Sequence, residues 1–483
     1  MELRVAVPAK ALALLALLAL LALLFSGVAF ASPPSIQSHR LSSGLEVIVV
    51  ENHSLQLVTI EIAAKNGSMT EPPDYNGLSH LYEHMFFKAN AVIPNQEAYL
   101  TRMRQLGMEF NGSTGTERVN YYFTTTADHL QDSMAFMRDA ILYPLFDPKE
   151  LEQEKQVVAG EIDRNESNPY YHFQHAVSDR VWWKYPSRKD PLGNRKTVLA
   201  ATREQMKTIQ KRYYIPNNSV LVVTGDVKAA DIFQQADVLF QKWKAEPDPF
   251  KKFPLVHHPP IRRTEVVWLQ QPVENVSLEM VWHGPSTVGD HVELTYAADL
   301  LGYALQEPSS PFQKRLVDSG ACVRAGFNWS TQMNVGPITL GLEATPDKVD
   351  ECISAALAEL PKMKRNDYLS DEELRNAVRR LEVDQALERE KPSELAHVLT
   401  FWWCSAGLNY YLSYLDNVKK ASRADIAQYL DTFVLGKPFV LGAMVSSKMA
   451  ADLHLDRAHF EHLIGIPSRA ALPAVREDRE ATR

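Results

Sequence analysis

The strongest constraint on how this chain can fold is that it contains a degenerate copy of itself. Residues 102–142 read as a helix end, a glycine-containing turn, two strands and a helix, and residues 314–360 repeat that order. Gly320-Ala321-Cys322 stands against Gly107-Met108-Glu109, and Phe327-Asn328-Trp329-Ser330-Thr331 against Phe110-Asn111-Gly112-Ser113-Thr114. Ala344-Thr345-Pro346-Asp347 answers Thr125-Thr126-Ala127-Asp128. At roughly 100 to 200 residues per domain, 483 residues exceed one ordinary core. The expected fold class is therefore α+β: two homologous domains, each an antiparallel sheet packed with helices. A proline-rich, charged stretch from Glu246 to Pro260 reads as a linker. It sets the expected domains at 32–245 and 263–466, with 246–262 between them and a polar tail at 467–483. His257-His258 falls inside the linker and is assigned to it rather than to a metal.

The two copies differ where chemistry would sit. In the first, Gly77 to Phe87 contains His80-Leu81-Tyr82-Glu83-His84. On a helix, residues i, i+3 and i+4 share a face, so both imidazoles and the carboxylate project together. Neutral imidazole is a preferred zinc ligand, and the glutamate is left free to take a proton from water. H-x-x-E-H is the inverse of the commoner H-E-x-x-H zinc helix. The corresponding segment of the second copy, Val292 to Leu305, holds no histidine. The second copy is expected to keep the fold without the metal.

A catalytic zinc usually takes three protein ligands and keeps one position open. The third is sought in the acidic helix expected from Pro148 to about Asn165, with Asp147 as its N-cap. Glu154 and Glu161 lie seven apart, close to two turns, and share a face. Glu161 is taken as the third ligand and Glu154 as the residue that orients a ligand. Val157 and Val158 interrupt the charge where this helix would enter a core. Elsewhere in the first copy, the β-branched runs Gly44–Val50 and Leu57–Ala64 are expected to form an antiparallel pair, and Arg118–Thr126 and Ser219–Asp226 further strands.

Net charge is −8, which disfavours a nucleic-acid partner, since phosphate binding wants a basic surface. Arg4 and Lys10, the apolar run Ala11 to Phe25 and Ala29-Phe30-Ala31 before Ser32 read as a signal peptide at 1–31. Export is expected, to the periplasm if the source is bacterial, with no membrane attachment after cleavage. The alternative is an uncleaved anchor, because Ala11 to Ala31 approaches the ~20 residues that span a bilayer. Cys322, Cys352 and Cys404 are odd in number with no C-x-x-C spacing, and are expected to be buried thiols rather than a disulfide framework.

These residues resemble the pitrilysin/insulinase family of metallopeptidases, in its smaller two-domain members. The resemblance covers nearly all of the chain after the signal and rests on His80-Leu81-Tyr82-Glu83-His84, Glu154 with Glu161, and Asn111-Gly112-Ser113-Thr114. The 76 residues between His84 and Glu161 match the family's separation. The resemblance implies one Zn2+ per chain held by His80, His84 and Glu161, Glu83 as general base and Glu154 in support. It implies peptide hydrolysis, with the strand at Asn111 and Gly112 binding the substrate backbone as an added β-strand. Family members whose second half assists carry an arginine and, seven residues on, a tyrosine. Here Arg315 is present as a substrate-binding candidate but Cys322 stands in the tyrosine's place, and a thiol is a weak substitute for a phenol donor. The implied partner is a homologous chain bearing the Arg/Tyr pair, or a second copy in a homodimer.

Overall fold

The computed structural model describes residues 35–467. The expected signal segment, and all of the tail beyond residue 467, lie outside the described residues. Strands β1 (Ile36–Arg40), β2 (Glu46–Glu51), β3 (Leu57–Ala64), β4 (Glu109–Thr114), β5 (Val119–Thr126) and β6 (Ser219–Gly225) form one sheet in the order β1-β2-β6-β3-β5-β4. Strands β7 (Glu265–Gln270), β8 (Val276–His283), β9 (Arg324–Trp329), β10 (Pro337–Ala344) and β11 (Val440–Val445) form the other, in the order β7-β11-β8-β10-β9. With β1 set aside the two orders coincide strand for strand. The fold is α+β with two repeated halves.

Pairing departs from the expected antiparallel hairpin of the first two β-branched runs. β6 lies between β2 and β3, parallel to β2 and antiparallel to β3. β11 enters the second sheet in the same way, parallel to β7 and antiparallel to β8. The reason is burial on both faces. Val220-Leu221-Val222-Val223 is an unbroken apolar run, which only a sheet interior covers on both sides.

Each half covers one face of its sheet with its own helices and the other face with a helix from its twin. In β2, Val47 and Val49 join the first half's own core, whereas Ile48 and Val50 face Leu395, Leu399 and Trp403. Those three belong to the helix Pro392–Ser405 of the second half. Conversely, Phe173, Val177 and Val181 of the helix Pro169–Val181 pack on Val267, Val281, Val440 and Met444 of the second sheet. The donors occupy equivalent places: each follows the long helix of its own half, Pro148–Glu166 or Asp371–Glu388. The exchange is backed by a buried polar knot. Glu61 of β3 accepts from Thr400 Oγ1 at 2.6 Å and Asn120 Nδ2 at 2.8 Å, and pairs with His397.

One expectation fails on side chains. Cys322 and Cys352 are joined by a disulfide, and only Cys404 is a buried free thiol. The two partners are 30 residues apart, one at the turn before β9 and the other on the helix Val349–Glu359. Sequence spacing could not show that the fold brings them together. The stretch expected as a linker contains a short helix, Pro249–Lys252, and its His258 is buried against Trp182.

The helix exchange makes a stability claim. A Cβ built on Gly442 of β11 would stand 2.5 Å from Val177 Cγ2 and 2.8 Å from the Phe173 ring. Gly442→Ala should destabilise the protein by about 1–3 kcal/mol through overpacking. Gly341→Ala, where a Cβ meets nothing within 4 Å, should lie within about 0.5 kcal/mol of wild type. Denaturant melts of the two variants check this.

Candidate metal centre

The helix that carries both histidines, Leu78–Phe86, is amphipathic by residue choice. Leu78, Leu81, Tyr82, Met85 and Phe86 are buried, with Tyr82 stacked on Tyr214 and Phe86 on Tyr121. His80, Glu83 and His84 occupy the remaining face. The start of this helix is fixed by Glu71, in the segment just before it. Glu71, buried, accepts from Gly77 N at 2.8 Å and Ser79 N at 2.6 Å, satisfying donors that a helix N-terminus leaves open. Gly77 itself takes φ 91, and a Cβ there would meet Gly193 Cα and Leu192 O at 2.9 Å.

The acidic helix, Pro148–Glu166, packs across it. Asp147 caps it, accepting from Lys149 N at 2.9 Å and Glu150 N at 3.1 Å, with Pro148 in the first turn. Leu151, Val158 and Ile162 anchor it, while Val157 is 47% exposed, so only one of the two valines enters the core.

That crossing brings the three expected ligands together. Glu161 Oε2 lies 3.6 Å from His80 Nε2 and 3.6 Å from His84 Nε2. One donor atom from each of the three residues falls within 4.8 Å of the others, the one such group among the described residues. With zinc–donor bonds of about 2.0–2.1 Å, tetrahedral geometry sets donors roughly 3.4 Å apart, so the observed spacing fits such an ion. Glu154 stands behind, its Oε2 3.1 Å from His84 Nδ1 and its Oε1 2.6 Å from Lys88 Nζ. A carboxylate on the far nitrogen fixes the tautomer that offers Nε2 to a metal. Lys88, four residues beyond His84, was passed over in sequence but could have been found from that spacing.

The two imidazoles are shifted in opposite senses. Burial, with the neighbouring His84, pulls the His80 imidazole down to about 4, which keeps it neutral. Burial also pulls His84 down, but the Glu154 hydrogen bond and the charges of Glu161 and Glu83 outweigh it, leaving it above its ordinary value. For Glu154 the balance runs the other way: burial raises it, and His84 and Lys88 together hold it below the usual range.

Glu83 is directed by the edge strand β4. Burial pushes its carboxyl up, partly opposed by the Thr114 hydroxyl, which donates to Glu83 Oε2 at 2.6 Å. Gly112 makes this approach feasible, since a Cβ there would stand 3.0 Å from Glu83 Cγ and 3.2 Å from Oε1. Gly112 therefore borders Glu83 directly, while Asn111 is exposed. Arg315 is not drawn into this group: its guanidinium is 2.6 Å from Glu359 and lies over the Tyr368 ring in the second half.

Two repeated α+β halves, one bearing an inverted histidine pair and a glutamate from a crossing helix, thus share a single candidate metal centre among the described residues. Residues 46–193 match the family described as Insulinase (Peptidase family M16), and residues 200–381 match its Peptidase M16 inactive domain. The chain belongs to this family. It is 24% identical over 355 residues to an uncharacterized zinc protease of Rickettsia felis, spanning 73% of this chain and 83% of that protein. It is 24% identical over 346 residues to the uncharacterized zinc protease YmxG of Bacillus subtilis, spanning 71% and 81%. Among solved structures, a protease from Helicobacter pylori superposes with a TM-score of 0.77 at 19% identity, over 86% of this chain and 100% of that one, a likeness of fold.

The cap on the histidine helix carries a pH signature. Burial pushes the Glu71 carboxyl up to about 7, against the pull of the two N–H donors. A folded pKa above the unfolded value means that this group's pH-linked stability is full below about 4.5 and lost as pH rises through about 7. The stability margin of wild type over Glu71→Gln should therefore shrink between pH 4.5 and 7.5 in denaturant melts. A margin that grows over that range contradicts the assignment.

Proposed function

We propose that this chain is an exported zinc metallopeptidase that hydrolyses peptide bonds in peptides or unfolded polypeptides. The observation that carries the reading is the meeting of His80 Nε2, His84 Nε2 and Glu161 Oε2, with a fourth carboxylate, Glu83, free beside them. A structural zinc site closes all four positions and leaves no spare base. One ion per chain is held by His80, His84 and Glu161.

Bound there, zinc supplies Lewis acidity toward a carbonyl and lowers the pKa of water. The chain does the rest. An extended peptide adds to the free edge of β4 alongside Asn111 and Gly112, backbone to backbone, which sets its scissile bond beside the cluster. Glu83 takes a proton from the attacking water on Oε1, the oxygen that Thr114 leaves free, and passes it to the leaving amine. Glu154, neutralised by Lys88, keeps His84 in the ligating tautomer.

The second half of the work falls to another chain in this reading. Arg315 is committed to Glu359, and the position seven residues on is tied into the Cys322–Cys352 bond. The partner is a homologous subunit bearing an Arg/Tyr pair, or a second copy. The same disulfide supports export, because such bonds persist in oxidising compartments. A non-catalytic, peptide-binding homologue is the second reading, favoured by that blocked tyrosine position.

Zinc analysis with cleavage of an unstructured fluorogenic peptide separates the two. The peptidase reading expects cleavage that a chelator abolishes and zinc restores. Glu83→Gln should keep its zinc while kcat falls about 10²- to 10⁴-fold, the range for losing a general base. His80→Ala, His84→Ala and Glu161→Ala should lose the metal. Full zinc in Glu161→Ala would displace that residue as a ligand. Binding of peptide without cleavage, with or without a partner, would establish the second reading.

A further inference from the structure

Thr114, which donates to Glu83 Oε2 at 2.6 Å, is the last residue of β4 before the turn into β5. That turn is gripped from two directions. From its own half, Ser68 N and Met69 N donate to the carbonyls of Gly115 and Thr116 at 3.3 and 2.9 Å. From the second half, the loop between β9 and β10 closes on Glu117: Met333 N donates to its Oε2 at 2.7 Å and Asn334 N to its Oε1 at 2.9 Å. Glu117 is buried there. The same loop is held from the other side by Lys189 of the first half, whose Nζ donates to the carbonyls of Asn334 and Val335 at 2.7 Å and to Gln332. Val335 has φ 58, a left-handed conformation that a β-branched residue adopts only when its surroundings impose it. The next turn residue, Arg118, donates to His397 O at 2.7 Å and Thr400 Oγ1 at 2.8 Å on the exchanged helix Pro392–Ser405.

We propose that the second half, which carries no metal residue, orients the base: its β9–β10 loop and exchanged helix hold the β4–β5 turn, and the turn delivers the Thr114 hydroxyl to Glu83. Thr114 and Glu117 are positioning residues. The inference rests on the reading of Glu83 as proton acceptor. The terminal torsion of a glutamate is broad and roughly two-fold, so a carboxylate on a helix face is not aimed by its rotamer alone. A hydroxyl on Oε2 fixes that torsion and leaves Oε1 for the proton. Displacement of a reacting group by about 1 Å costs on the order of 10²-fold in rate, so the grip on the turn has catalytic weight.

The experiment uses the full chain. Thr114→Val removes the hydroxyl and keeps the shape. It should lower kcat about 10- to 100-fold with KM and zinc content unchanged, and Thr114→Ser should restore most of the loss. Glu117→Gln should lower kcat in the same sense and raise amide hydrogen exchange across residues 112–119 in the zinc-free protein. In the Thr114→Val background it should have little further effect on kcat, since both act through one hydroxyl. If Glu117→Gln does not fold, Lys189→Met loosens the same loop and takes its place. Wild-type kcat in Thr114→Val, additive losses in the double variant, or unchanged exchange in the turn would each overturn the proposal. Should wild-type protein cleave no peptide, alone or with a homologous partner subunit, the peptidase reading fails by itself, and the exchange measurement still decides whether the second half holds the turn.

Discussion

The structure depends on one helix crossing. Leu78–Phe86 and Pro148–Glu166 must meet at the turn that holds His80 and His84 on one side and Glu161 on the other. Each helix is seated by apolar residues on its far face, so the polar residues that meet at the crossing are positioned by packing rather than by their own attraction. That matters because they do not balance. Glu154 is offset by Lys88, whereas Glu83 and Glu161 place two carboxylates beside two imidazoles in a half-buried space, and the Glu161 charge raises the cost of ionising Glu83. A divalent cation is the simplest group that resolves this charge, and the donor set of two imidazoles and a carboxylate suits zinc.

Around that crossing the fold supplies rigidity from unequal sources. Glu71 fixes where the histidine helix begins, and β4 brings Gly112 and Thr114 against Glu83. The reciprocal helix exchange makes the halves inseparable in packing: neither sheet is covered on both faces without its twin. A duplicated fold that kept its metal residues in one copy has not thereby made the other copy idle. The second half buries the back of the first sheet and holds the turn that leads to Thr114 and Glu83.

Much of this was legible in the sequence because it is local or periodic. The H-x-x-E-H spacing, the Asp147-Pro148 cap and the repeated Asn-x-Ser-Thr strand announce a helix face, a helix start and a duplicated edge strand, and all three stand where expected. What escaped is long-range. β6 slips between two strands that are neighbours in sequence because its apolar run needs cover on both faces. Cys322 and Cys352, 30 residues apart, are brought together only by the fold of the second half. Glu71 sits before two prolines in a stretch that reads as loop, and its role depends on a helix starting seven residues later and bending back over it. The helix Pro169–Val181 packs its apolar face on the other half's sheet, a pairing that no local pattern marks.

The most direct test of the central claim is anomalous diffraction at the zinc edge from crystals grown with the metal. A single peak about 2.0–2.2 Å from His80 Nε2, His84 Nε2 and a Glu161 oxygen, with Glu83 outside bonding distance, is the expected result. No peak at that crossing, or a peak ligated by Glu83 or Glu154 in place of Glu161, would contradict it.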